Sequence, residues 1–182
     1  MGPSGAGKDT LIDGARKRLN SDSRFLFARR IITRAADAPG EHHDSLDEGS
    51  FEALRAAGGL ALSWDAHGLS YGLPASIEPE LAAGRHVVAN VSRAVLVAAD
   101  ARFAPLGIIL VTAPPRLLAA RIVSRGRETA IDAAARLSRP STPSAIEARA
   151  ITICNDGSIE AGTEAFIAAL ETIARRSREP QA

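Results

Sequence analysis

The 182 residues carry a formal net charge of +1, with 46% hydrophobic and 4% aromatic residues. That length is one domain's worth with ample apolar content for a core, and near-neutral charge without interleaved aromatic and basic residues argues against a nucleic-acid platform. The lone cysteine, Cys154, excludes an intrachain disulfide framework and a cysteine-based metal site; the longest apolar runs are strand-sized, so no membrane association is expected and the chain reads as cytoplasmic.

The chain opens on Gly2, Pro3, Ser4, Gly5, Ala6, Gly7 and Lys8. Gly, four residues, Gly, Lys is the pattern of a phosphate-binding loop. Glycines let the backbone approach phosphate oxygens, backbone N–H groups wrap them, and a helix N-terminus follows. Lys8 is one of only two lysines, the other being Lys17, among many arginines. The position after Lys8 is ordinarily Ser or Thr, whose hydroxyl ligates magnesium. Here it is Asp9, with Thr10 next; a carboxylate also ligates magnesium. Such a loop ordinarily hangs from a buried strand, and only Met1 precedes it. The expectation is that a strand belongs upstream of Met1, since its apolar side chains would each contribute about 1.5–3 kcal/mol.

Further along, residues 9–19 predict a helix with Leu11, Ile12, Ala15 and Leu19 on one face. Phe25 to Phe27 is a short strand, followed by Arg29-Arg30 and Thr33-Arg34. Residues 35–47, with Pro39-Gly40, His42 and His43, read as an exposed loop. Glu41 and Asp44 beside the two histidines suggest a metal site, but adjacent histidines rarely chelate one ion, so a solvated loop is preferred. Residues 48–57 predict a helix ended by Gly58-Gly59, and Leu60 to Leu62 a strand running into Trp64. Gly68 to Pro74 reads as a hairpin region holding Tyr71, and residues 76–83 as a helix ended by Gly84. His86 to Val91 and Leu106 to Val111 are buried strands. Ser92 opens a helix after the first, and Pro114-Pro115 stops the second. Residues 116–124 are helical, Arg121 to Arg139 is arginine-rich, Ile151 to Cys154 is a last strand with Cys154 in the core, and residues 159–177 form a terminal helix. Apolar strands alternating with amphipathic helices predict an α/β fold with a parallel sheet flanked by helices.

Several separated motifs occur in one order: the loop, Thr33-Arg34, Trp64-Asp65-Ala66-His67-Gly68, Tyr71-Gly72-Leu73-Pro74, the arginine-rich segment and Asn155-Asp156. That order resembles the guanylate-kinase-like nucleoside monophosphate kinases. Gly-Lys-Asp in the loop, Trp-Asp-Ala-His-Gly-Leu, and Asn90 followed by Ser92-Arg93-Ala94 make the chain most similar, within that superfamily, to the ribose 1,5-bisphosphate phosphokinases of phosphonate catabolism. The resemblance covers residues 2 to about 156. It implies a three-layer P-loop kinase fold in a single domain. The core is 1–34, 81–120 and 141–182, the acceptor lobe 35–80 and the lid 121–140. Lid and lobe would close to exclude water.

The implied reaction is ATP-dependent phosphorylation of ribose 1,5-bisphosphate to 5-phospho-α-D-ribose 1-diphosphate. A phosphate oxygen, already ionised, is the nucleophile, so positioning and charge neutralisation dominate catalysis. ATP with Mg2+ would rest on Gly2 to Thr10, with Asp9 as the metal ligand and Arg121 and Asn155 as further nucleotide contacts; a simple turn is the alternative for Asn155. Lys8, Arg125 and Arg34 are the implied catalytic residues. Arg30, Arg34, Asp65, His67, Tyr71, Ser92 and Arg136 are substrate-binding candidates, against a surface ion pair for Arg34, a solvated helix face for the lid arginines and packing for His67 and Tyr71. Arg127 and Arg139 belong to the same lid set. The chain departs from guanylate kinases at Ser63 and Ser92, where those enzymes carry guanine-reading carboxylates, and at Asp37, where they carry a phosphate-binding Arg. Losing matched polar contacts lowers discrimination by about 10⁴–10⁵-fold, which disfavours guanine as the acceptor base. A nucleoside monophosphate kinase of relaxed base preference is the alternative enzyme. A catalytically dead binding module is disfavoured by the retained Lys8. Monomer and homodimer both stay open.

Overall fold

The computed structural model describes residues 1–35, 43–66, 68–123 and 145–177. Its contacts divide the chain into two compact units, Met1–Lys17 with Asp100–Ala182, and Arg18–Ala99.

In the first unit the loop runs straight into helix α1 (Lys8–Arg18), which buries Leu11 and Ala15. Strand β7 (Ile109–Thr112) pairs in parallel with β8 (Ile151–Cys154), Ile109 opposite Ile151 and Thr112 opposite Cys154. Along β7, Ile109 and Val111 are buried while Leu110 and Thr112 are half-buried, the period-two pattern of a strand. On the other edge of β7, Met1 donates its N-terminal amine to Ile109 O at 2.8 Å and accepts from Val111 N at 2.9 Å, forming one rung of a parallel ladder. Helix α5 (Pro115–Val123) starts on a proline, whose fixed φ and missing N–H suit a first helical position. It buries Leu118 and Ile122, one turn apart. The last helix, α6 (Ile159–Arg176), is capped by Ser158, whose side chain accepts from Ala161 N. Its buried stripe is Gly162, Thr163, Phe166, Ala169, Leu170 and Ala174, the spacing of one helical face.

The second unit holds two sheets. Strand β1 (Phe25–Phe27) pairs in parallel with β6 (His86–Val88). Arg85 secures that pair, donating to Ser23 O and Phe25 O while bonding Glu80 at 2.8 Å. The other sheet has four strands in the order β3-β2-β5-β4: β2 (Arg30–Ile32), β3 (His43–Ser45), β4 (Leu60–Ala66) and β5 (Leu69–Pro74). β4 and β5 form an antiparallel hairpin, β2 is antiparallel to β5, and β3 is parallel to β2. Helix α2 (Glu48–Ala56) buries Phe51 completely, and α3 (Ile77–Ala82) buries Ile77. A 3-10 turn at Arg93–Val95 leads into α4 (Leu96–Phe103).

The expected α/β architecture of parallel strands flanked by helices is present, its parallel strands hydrogen-bonded among the described residues as the pairs β1–β6 and β7–β8. Three sequence expectations are corrected. The end of the expected loop 35–47 is strand β3, and His43 is only 8% exposed, because the ladder to β2 recruits a polar tripeptide with little strand propensity of its own. The apolar runs at 86–91 and 106–111 form shorter ladders, at His86–Val88 and Ile109–Thr112. Cys154 is exposed rather than buried, because Ile153 takes the inward position on β8 and alternation turns Cys154 outward.

Candidate active site

The loop gains its curvature at Gly5 and Gly7, with φ of 80° and 85°, a region open to glycine and strained for other residues. Ala6 between them is fully buried. Leu11 N donates to Gly7 O at 3.0 Å, closing the first helical turn, so the loop delivers the positive end of the α1 dipole. Pro3 O accepts twice, from Ala6 N at 3.3 Å and from Lys8 Nζ at 2.8 Å. The Lys8 ammonium is thereby held against the loop's own backbone. Gly2, Pro3 and Asp9 are half-buried, while Ser4 and Thr10 are exposed. The Asp9 carboxylate stands in the first turn of α1.

Beneath the loop lies Asn155, 7% exposed. Its backbone N–H continues the β7–β8 ladder to Thr112 O at 2.7 Å, and its side-chain Nδ2 donates to Ala6 O at 2.8 Å. A Cβ on Gly7 would stand 2.5 Å from Asn155 Nδ2. From α5, Arg121 donates through one guanidinium nitrogen to Asn155 O at 3.0 Å and to Gly5 O at 3.5 Å. The structure thus brings Gly2 to Thr10, Arg121 and Asn155 into one cluster. It gives the Asn155 amide and one Arg121 nitrogen protein carbonyls as partners. The Cys154 thiol next to this cluster is pushed up by desolvation and then by the Asp156 carboxylate, so it stays protonated at neutral pH.

In the second unit, a cationic and aromatic cluster sits on one face of the four-stranded sheet. Ile32 and Trp64 both stand opposite Tyr71 in register, and Arg30 lies two residues before Ile32, hence on the same face. The Arg30 guanidinium lies 5.5 Å from the Tyr71 ring centroid, and Arg34 donates to the Tyr71 hydroxyl at 3.5 Å. Ser45 Oγ donates to Arg34 O, and Thr33 exchanges bonds with Ser70 through N–H to O and Oγ1 from N–H, fixing the backbone that carries Arg34.

Asp65 and Ser92 are not part of that cluster. Asp65 pairs with Ser70 on the opposite face, accepting from Ser70 Oγ at 2.6 Å and from Arg55 at 3.3 Å. The Ser70 hydroxyl, with Arg55 adding to it, holds the Asp65 carboxyl below its ordinary value against a smaller effect of burial. Ser92 caps the 3-10 turn, its Oγ accepting from Ala94 N at 3.3 Å. His67, Arg125 and Arg136, with Asp37, His42, Arg127 and Arg139, lie outside the described residues. Two contributions escape sequence reasoning: the carbonyl of Ala6, and Gly162, whose missing side chain makes room for Asn155. The one available signal for the second is a glycine early in a helix of otherwise good formers.

A lysine-bearing phosphate loop that opens a helix beside parallel strands defines a P-loop kinase fold. The structure is similar to guanylate kinase from Anaplasma phagocytophilum, with a TM-score of 0.61 at 16% identity over 93% of this chain and 83% of that one. No protein-family model matches the chain. It is 45% identical to ribose 1,5-bisphosphate phosphokinase PhnN of Brucella melitensis biotype 2, covering 96% of this chain and 91% of the relative. It is 49% identical to the protein of the same name from Acidiphilium cryptum, over 93% and 89% of the two. The chain belongs to the ribose 1,5-bisphosphate phosphokinase family. It is also 48% identical to the bifunctional ribose 1,5-bisphosphokinase-thymidine phosphorylase of Azorhizobium caulinodans, matching 98% of this chain but spanning only 26% of that relative's length.

Proposed function

We propose that the chain transfers the γ-phosphoryl group of ATP to ribose 1,5-bisphosphate, giving 5-phospho-α-D-ribose 1-diphosphate and ADP. An oxygen of the 1-phosphate forms the new P–O bond as the bond to the ADP oxygen breaks. The attacking oxygen is already ionised, so no general base is required. The observation that carries the reading is the convergence of Arg30 and Arg34 on Tyr71. Two guanidinium groups suit a sugar bearing two phosphates, and the relatives named above carry that sugar in their names.

In this reading Lys8, the N–H groups of the loop and the α1 N-terminus hold the triphosphate and meet the charge that develops on it. By family resemblance, Arg125 is assigned to the transferring phosphoryl group, and Arg136 and His67 to binding of the acceptor. Among the described residues, no group of three His, Cys, Asp or Glu side chains is placed to hold a metal. The donor chemistry near the loop fits Mg2+ held by Asp9 with phosphate oxygens and water completing its shell; when bound, the ion neutralises phosphate charge. Among the described residues no helix is long and apolar enough to cross a membrane; with ATP as the proposed donor, the reaction is assigned to the cytoplasm as part of this proposal.

A panel of acceptors tests the assignment. With ATP and Mg2+, ribose 1,5-bisphosphate should yield the diphosphate by phosphorus NMR, while GMP and AMP should turn over at least about 10²-fold less efficiently. Efficient phosphorylation of GMP, with none of the sugar bisphosphate, would identify a nucleoside monophosphate kinase instead.

A further inference from the structure

We propose that Asn155 is a positioning residue for the phosphate loop, acting with Arg121 as a brace that sets which way the loop's peptides face. The inference rests on the loop's being the nucleotide site and is independent of which acceptor is used.

The peptide bond is planar and trans, so a carbonyl and the N–H of the next residue point in opposite directions. Asn155 Nδ2 bonds Ala6 O at 2.8 Å in a buried setting. Pinning that carbonyl turns the Gly7 N–H away from Asn155. Arg121 secures the preceding peptide through Gly5 O and secures the brace residue itself through Asn155 O. The Ala6 N–H is consumed within the loop by Pro3 O. Orientation of an anion-binding peptide is therefore controlled by a side chain 149 residues away in sequence.

The surroundings leave the Asn155 side chain little freedom. Its backbone is tied to Thr112 O at the end of the ladder. A Cβ on Gly7 would lie 2.5 Å from Nδ2, and a Cβ on Gly162 would lie 2.8 Å from Oδ1. Glycines at both positions make a slot for this amide. A base contact requires an accessible polar edge, whereas this residue is 7% exposed and one of its two amide N–H groups is given to Ala6 O. Asparagine suits the slot because it supplies an N–H donor. An aspartate of the same shape offers only acceptors and would set an oxygen against the Ala6 carbonyl.

The test separates a brace from a base contact by using a ligand with no base. ATP and inorganic tripolyphosphate are titrated calorimetrically into the full chain and into Asn155→Asp and Asn155→Ala. Thermal melts establish that each variant is folded. A brace weakens both ligands together, by about tenfold or more for Asn155→Asp and by less for Asn155→Ala, which removes the donor without adding repulsion. A base contact weakens ATP while leaving tripolyphosphate unchanged, and that result overturns the proposal. Folded variants that bind both ligands like the parent overturn it as well. No acceptor enters the measurement, so an error in the sugar assignment leaves the outcome intact. A parent chain binding neither ligand would overturn the phosphate-loop reading and the brace with it.

Discussion

Trp64 and Tyr71 stack across the β4–β5 hairpin, with ring centroids 5.5 Å apart and planes 7° from parallel. Near-parallel rings at that separation are offset, the arrangement aromatic quadrupoles favour. Both residues are 6% exposed, so the stack belongs to the sheet's packing. Its polar end serves another purpose, because the Tyr71 hydroxyl accepts from Arg34. One side chain thus joins core to candidate substrate site, and two substitutions separate its roles.

Tyr71→Phe keeps the ring and removes the hydroxyl. The bond to Arg34 is long at 3.5 Å, so the loss is modest. The acceptor KM should rise about 2- to 10-fold with the ATP KM and Tm nearly unchanged. Tyr71→Ala removes the ring from between its neighbours and should destabilise by about 3–5 kcal/mol, read as a lower midpoint in urea. Equal effects of the two variants on stability would show that the hydroxyl, rather than the ring, holds the sheet.

Lys8→Ala should remove transition-state stabilisation while leaving the fold intact, because Lys8 Nζ donates to the loop carbonyl Pro3 O from a half-buried position rather than packing in the core. Loss of one preorganised cation or donor at a reacting phosphate lowers kcat by about 10²–10³-fold. Single-turnover kinetics with saturating ATP measures this directly. A kcat within threefold of the parent would remove Lys8 from the catalytic assignment.

Asp47 provides a pH-dependent cap for α2. Its carboxylate accepts from Ser50 N at 2.9 Å and Ser50 Oγ at 2.7 Å. The Ser50 backbone bond, followed by its hydroxyl, lowers the Asp47 pKa below 3.8. A depressed folded-state value means that the cap's contribution is fully present above 3.8 and fades as pH falls through the lower folded value. Asp47→Ala should therefore lower Tm at neutral pH, and the gap to the parent should narrow in strong acid. Melts from pH 7 to pH 2 check the sign.

These elements differ in how far they could be read from sequence. The loop, α1 and α6 depend on local patterns: glycine spacing, an apolar face, and Ser158 as a cap. Such signals lie within a few residues of the structure they specify. Strand β3 does not, since His-Asp-Ser becomes a strand only through its partner β2. Cys154 looks like core within an apolar run, yet side-chain alternation turns it outward. The site shows the same division. Lys8 and Arg34 are legible as residue types in a pattern, whereas the service of Asn155 to Ala6 O requires the chain to bring its two ends together. The sequence shows Asn155 on a turn after a strand; only the fold shows which carbonyl the turn reaches.

Gly162→Ala weighs two opposed effects against each other. Alanine is the better helix former, and in an open position in α6 the change would stabilise by about 0.5–1 kcal/mol. Here the added Cβ would meet Asn155 Oδ1 at 2.8 Å and Leu11 Cδ2 at 2.9 Å. Overpacking of a buried site costs about 1–3 kcal/mol, so the clash wins and net destabilisation is expected. Leu11 is fully buried on α1 and has little room to move, which directs the displacement toward the Asn155 amide and the loop above it. The variant should therefore melt below the parent and bind tripolyphosphate more weakly, despite lying outside the loop. Calorimetry and a thermal melt on the same sample test both halves. A more stable variant would mean that α6 shifts as a body to accept the methyl group without displacing Asn155.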